Sequence, residues 1–421
     1  MNITSLKTNI IEIAFIFLLG LTPLLWFESG YLITSVDVDW PLSPTERVIE
    51  RSSVWYPQFQ SGTDRSINTS SLPYFFLPAL FQSIGMDVIT GEKLTYIFWL
   101  VLNGLAMHFL MAQIVVGNEA WVSVARLIAV MLYMYNFYLF FVWPRLQLAF
   151  GPIVLLPILL GVIIKRVDHN ISYSRSAMII GIFTILAAPM GIQPPLIGSI
   201  IIAITIYLIL QISSKVVNRK YMEISNIVIF CSFLFIIIIL FSMFWLLPLA
   251  NFIIGSGYTS NNVGLEVYQV KKLLNWVSSC TNSINVLTNI ADIMFYDSWG
   301  EEDYYPIFRL YRENSILITA KFVIPILAFS SLLIYRNYYV VYFSILSVVG
   351  ILFSMGSYPP FGMIFTWLIE NIPGFWIYRA PWQKFAILTT IGYSVLTGIA
   401  CGKIYQRLEE TTKNDEKNLS L

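Results

Sequence analysis

Charge is scarce in this sequence. Of 421 residues only 12% are Asp, Glu, Lys or Arg, about half the share of roughly 25% that a soluble domain carries. That excludes an ordinary soluble globule and a disordered tail. A nucleic-acid-binding module is excluded too, because it needs clustered Lys and Arg, and the net charge of +1 points to no polyanionic partner. Cysteine is as sparse: Cys231 and Cys401 sit inside apolar runs and only Cys280 lies in a polar segment, so no disulfide framework forms. With His108 and His169 as the two histidines, no metal signature is present. Walker, GxGxxG, HExxH and Ser–His arrangements are also missing, so neither cofactor nor metal is expected.

Apolar length is what the chain has in quantity. Hydrophobic residues make up 57% of it, and the mean hydropathy is +0.72. Ten apolar runs lie near residues 9–27, 93–116, 122–142, 151–165, 176–190, 194–212, 225–250, 315–335, 338–355 and 381–402. Several exceed about 18 residues, enough to cross roughly 30 Å of hydrocarbon as helices, and nothing alternates as barrel strands do. The expected fold is an all-α polytopic membrane protein with about ten transmembrane helices. Leu24-Leu25-Trp26-Phe27-Glu28 offers no small-residue cleavage site, so the first run reads as a retained anchor.

Positive residues in short loops mark the cytoplasmic side. Lys7, Lys165, Arg166, Arg175, Lys215, Arg219, Lys220, Arg336 and Lys403 fall on one face when the chain alternates through ten spans. Both termini are then inside, in a cytoplasmic (plasma) membrane. Residues 1–404 read as one transmembrane domain with external loops 28–92, 255–314 and 356–380, and 405–421 as a charged cytoplasmic tail. No internal repeat is visible. Two apolar stretches, residues 72–86 and 361–370, are too short to span and read as interfacial or re-entrant pieces on the external face.

Acidic residues at a membrane are expensive and invite a reason. The first external segment opens with Ser35-Val-Asp37-Val-Asp39-Trp40-Pro41, whose two carboxylates point the same way in extended chain. At the outer surface such a group suits general-base attack by a sugar hydroxyl; the same pair also suits a solvated loop. Arg145, Arg379 and Lys384 fall near the same face, where cations stabilise charge developing on a leaving phosphate. Snorkelling at helix ends accounts for them equally. Aromatic side chains stand beside acids in Tyr296-Asp297-Ser298-Trp299, a pairing that suits carbohydrate.

In order along the chain stand the acidic stretch, Trp55-Tyr-Pro-Gln-Phe-Gln-Ser-Gly62, the Pro and aromatic block from Leu72, the span around Trp99, Ser278 to Leu287 ahead of Trp299, and Ile372-Pro-Gly-Phe-Trp-Ile-Tyr-Arg379-Ala-Pro-Trp-Gln-Lys384-Phe. This series, covering most of the chain, resembles multispanning GT-C glycosyltransferases, nearest the arabinofuranosyltransferase type and its bacterial and archaeal relatives of unassigned activity. The resemblance implies sugar transfer from a polyprenyl-phosphate donor to a glycan, lipid or protein acceptor at the external face. By position the catalytic carboxylate is Asp39, with Asp37 as the near alternative. Arg379, Lys384 and Arg145 would contact the donor phosphate, and Trp40, Trp55, Tyr74 and Trp376 would border the acceptor. Members of that type carry a Glu where this chain has Arg145 and Gln147, so no second acid carries over there. Many continue into external carbohydrate-binding domains, which makes a partner subunit supplying one an expectation here. Rival readings are a flippase for lipid-linked saccharide and a non-catalytic subunit of a cell-envelope assembly.

Overall fold

In hydrocarbon no water pairs with backbone N–H and C=O groups, so an apolar run must close its own hydrogen bonds, as a helix does. The computed structural model describes residues 3–34, 40–56, 62–145, 149–169, 171–256, 267–299 and 302–419, and helix covers each of the apolar runs. Among the described residues six helices are long and apolar enough to cross a membrane: Val88–Ile114, Phe150–Asp168, Pro194–Val217, Tyr221–Phe252, Ser315–Ile334 and Pro381–Lys413. Taking the bent pair Ala120–Met134 and Phe137–Trp143 as one span makes up to 7, while Asn9–Leu25, Tyr173–Leu186 and Tyr338–Ser354 are apolar but shorter. The chain is an all-α, multi-pass membrane protein.

Burial separates core spans from peripheral ones. The apolar window of Pro381–Lys413 is 94% buried, against 22% for Tyr221–Phe252 and 17% for Ser315–Ile334. A helix this apolar and this exposed is stable only against lipid. The stretches at 72–86 and 361–370 fold as Leu72–Ser83 and Gly362–Asn371, helices of 12 and 10 residues. Among the described residues β-structure is confined to two small hairpins, Trp55–Tyr56 with Thr63–Asp64 and Ser298–Trp299 with Glu302–Asp303.

Contacts divide the chain into two units: Met1–Ile16, Met111–Tyr138 and Tyr268–Leu421 form one, Phe17–Leu110 and Leu139–Val267 the other. In the first, Pro381–Leu419 is the axis, packed by Tyr338–Ser354, Ala120–Met134 and Val323–Ile334. Lipid tails are as apolar as Leu, so helices associate through close backbone approach at small residues. Gly398 and Gly402, one turn apart, supply that approach: a Cβ on Gly398 would lie 2.4 Å from the Ala125 carbonyl oxygen, and one on Gly402 2.6 Å from that of Trp121. Gly398→Ala is therefore expected to cost about 1–3 kcal/mol through overpacking, seen as a lower thermal midpoint in detergent. Alanine gains roughly 1 kcal/mol in helix propensity, so an unchanged or raised midpoint would show that the contact is slack.

In the second unit, Pro44–Ser52 lies on Leu72–Ser83. Gln82 Oε1 holds the pair by accepting from both the backbone N and the Oγ1 of Thr45, each at 2.9 Å. Tyr221–Ser256 packs on Tyr173–Leu186 and on the 3-10 turn Ser66–Ser71. An aromatic knot of Trp26 stacked on Trp143 at 4.2 Å ties the end of the first apolar run to the end of Phe137–Arg145. Tyr96 bridges it, donating its hydroxyl to the Trp143 carbonyl at 3.0 Å.

Candidate functional site

Asp37 and Asp39 lie outside the described residues, but the chain on both sides of them is described. Ile33 donates its backbone N–H to Glu92 Oε2 at 3.1 Å, and Trp40 is 4% exposed, its indole N–H without a partner among the described residues. Between these anchors and the helix Pro44–Ser52 opens a cavity of about 550 Å³ lined by Leu32, Thr34, Trp40, Pro41, Leu42, Ser43, Glu46, Arg47 and Glu50. Its wall mixes both charge signs with an indole face. Small-ligand sites fall in the range of roughly 300–1,000 Å³.

Glu92 stands behind this segment. It is fully buried, with Oε1 lacking any partner among the described residues. Tyr74 is buried as well, stacked on Trp99 with centroids 6.2 Å apart; burial and then the Glu92 charge push its phenol far up. Tyr74 is therefore a fixed wall with a neutral hydroxyl. Trp55 is the opposite case, exposed in its hairpin with one ring face on Gly62. Gly62 has φ +99°, and a Cβ there would sit 2.2 Å from the indole, so glycine is what lets the ring lie flat and leave a face open. Arg145 closes the helix Phe137–Arg145; its side chain lies outside the described residues.

Arg379, Lys384 and Trp376 belong to the first unit. After Pro373, Gly374 takes φ +82° and starts the turn Phe375–Tyr378, ahead of Pro381 at the head of the long helix. The Arg379 guanidinium lies 5.4 Å from the Trp376 ring centre, and Tyr378 stacks on Phe385 at 5.1 Å. Lys384 is 8% exposed. The neighbouring Gln383 donates Nε2 to Asp292 Oδ2 at 3.0 Å, while Asp292 Oδ1 accepts from Met294 N at 2.9 Å. A crevice of only about 10 Å³ opens there, lined by Val277, Ala291, Asp292 and residues 380–383. Beyond it Arg312 pairs with Asp303 at 3.7 Å and lies 5.6 Å from the Tyr296 ring centre. Burial raises the Tyr296 phenol and the Cys280 thiol.

The structure thus gathers Trp40 and Tyr74 into one unit with Glu92, and Arg379, Lys384 and Trp376 into the other with Asp292. Glu92 and Asp292 are the residues that sequence reasoning passed over. Glu92 falls one residue ahead of the apolar run near 93–116, and Asp292 between the stretches Ser278–Leu287 and Tyr296–Trp299; a lone carboxylate beside apolar chain was the available signal. Among the described residues no group of three or more His, Cys, Asp or Glu side chains is placed to hold a metal ion. No protein-family model matches the chain, and neither does any curated protein or any solved structure.

Proposed function

We propose that this chain is a glycosyltransferase of the plasma membrane, using ten spans with both termini inside, that takes sugar from a polyprenyl-phosphate donor at the external face. The observation that carries the reading is the cavity built by residues 32–50, whose wall includes both flanks of the Asp37–Asp39 stretch. The acceptor hydroxyl attacks the anomeric carbon, the bond from that carbon to the phosphate oxygen breaks, and the lipid phosphate leaves with the electron pair. Asp39, with Asp37 as alternative, takes the hydroxyl proton. By charge and position in the sequence, Arg379, Lys384 and Arg145 are the candidates to hold the leaving phosphate, and Trp40, Trp55, Tyr74 and Trp376 those to border the acceptor. No step calls for a metal or a nucleotide.

The test is transfer of radiolabelled sugar from polyprenyl-phosphate pentose or hexose by the purified chain in vesicles. Movement of the labelled lipid across the bilayer without transfer would replace this reading by the flippase one.

Within this reading Glu92 is a positioning residue: it holds the Ile33 N–H and so the stretch of chain that precedes the acids. Glu92→Gln keeps an oxygen acceptor, whereas Glu92→Ala removes the acceptor of the part-buried Ile33 N–H at a cost of about 1.5–3 kcal/mol. Turnover is expected to fall roughly 5- to 100-fold in Glu92→Ala, with most of it retained in Glu92→Gln. Equal losses in the two variants would assign Glu92 to the chemistry itself.

A further inference from the structure

The helix Pro44–Ser52 sets Arg47 and Arg51 one turn apart on one face, an arrangement that is unfavourable for two like charges. The hairpin adds a third cation. Arg65 donates its backbone N–H to the Val54 carbonyl at 2.7 Å, which brings it within charge range of Arg51. Counter-charge comes from Glu50, 3.4 Å from Arg47 Nη1, with Glu46 on the same helix. Arg51 makes no ion pair among the described residues. Its Nε and Nη1 are buried and have no hydrogen-bond partner among the described residues. Burial, then Arg47, then Arg65 push its guanidinium down to about 10 against the opposing pull of Glu50. A half-buried cation with idle donors is costly unless an anion meets it.

A second feature says where that anion comes from. Leu42, Ile49 and Val54, on the same segment, are 74%, 70% and 43% exposed. Apolar side chains jutting from a segment that also presents arginines suit the boundary between headgroups and acyl chains, and guanidinium forks match phosphate oxygens in geometry. We propose that Arg47, Arg51 and Arg65 form a binding site for the phosphate of an anionic membrane lipid, whose acyl region is met by Leu42, Ile49 and Val54. The site stands whether or not the chain transfers sugar.

Native mass spectrometry of the full chain, released from neutral detergent and titrated with phosphatidic acid or with oleate, tests it. Wild type is expected to hold phosphatidic acid well ahead of oleate, because a carboxylate offers one fork where a phosphate serves three cations. Arg51→Gln should weaken the phosphatidic acid adduct about 10- to 100-fold. Glu50→Gln removes the competing carboxylate and should strengthen it about two- to fivefold, a gain that misfolding does not produce. Equal affinity in wild type and Arg51→Gln, no gain in Glu50→Gln, or equal retention of oleate would each overturn the site. Displacement of the lipid by equimolar inorganic phosphate would overturn its assignment to a lipid.

Discussion

Purified Asp39→Asn protein is expected to transfer sugar about 10²- to 10⁴-fold more slowly than wild type, the span that a positioned general base contributes. Asparagine keeps the size and one oxygen of the aspartate and removes only the proton acceptor. The loss should therefore fall on kcat, with KM for the lipid donor little changed. The flanks bear on this expectation. Ile33 is tied to Glu92 and Trp40 is buried, so the described chain is anchored on each side of the substituted position. Asp37→Asn separates the two acids: if Asp39 is the base, the Asp37 variant stays within about tenfold of wild type, and the reverse ranking moves the role by two residues. Transfer at wild-type rate by both variants would remove the acids from the chemistry. It would leave the reading of a subunit or a flippase, neither of which needs a base here.

Hydropathy alone made the apolar helices legible, six or up to seven of them long enough to cross a membrane among the described residues, because a helix in lipid pairs its backbone locally, whatever the rest of the chain does. The axis Pro381–Leu419 could be drawn from its run at 381–402, and the short helices at Leu72–Ser83 and Gly362–Asn371 from runs too short to cross. Residues whose meaning depends on a distant partner were not legible. Glu92 acquires its role from Ile33, 59 positions away, and Asp292 from Gln383, 91 positions away. Arg51 looks like any surface arginine until the hairpin delivers Arg65 beside it. Averaging over a window also hides a single charge inside an apolar run, and Glu12 was lost in this way within the run at 9–27. Lys384 presents the converse case: its position at a helix end suggested snorkelling to water, yet its side chain is buried.

Glu12 yields the largest stability effect expected of any single substitution in the described residues. It is 1% exposed, in the helix Ile3–Gly20, and accepts a hydrogen bond from Ser123 Oγ through Oε1. Its Oε2 lies 3.7 Å from Arg126 Nη1. Ser123 and Arg126 are one turn apart on Ala120–Met134, so a single helix face presents both partners. Arg126 also donates Nε and Nη2 to the Val115 carbonyl at 3.2 and 2.8 Å, meeting the negative end of the helix Val88–Ile114. Every polar atom named here has a partner, so the cluster is a satisfied structural pair inside an apolar run, not an open site. Glu12→Gln keeps the shape and the Ser123 contact but leaves Arg126 with no opposing charge where water does not reach. Breaking a buried pair from one side costs about 3–5 kcal/mol, read as a drop in the midpoint of unfolding in detergent. Removing both charges should recover most of that loss: Glu12→Gln with Arg126→Met is expected to be more stable than Glu12→Gln alone, because no uncompensated ion remains. A double variant no better than the single one would show that Arg126 stabilises the unit through its Val115 bonds, with Glu12 a minor contributor.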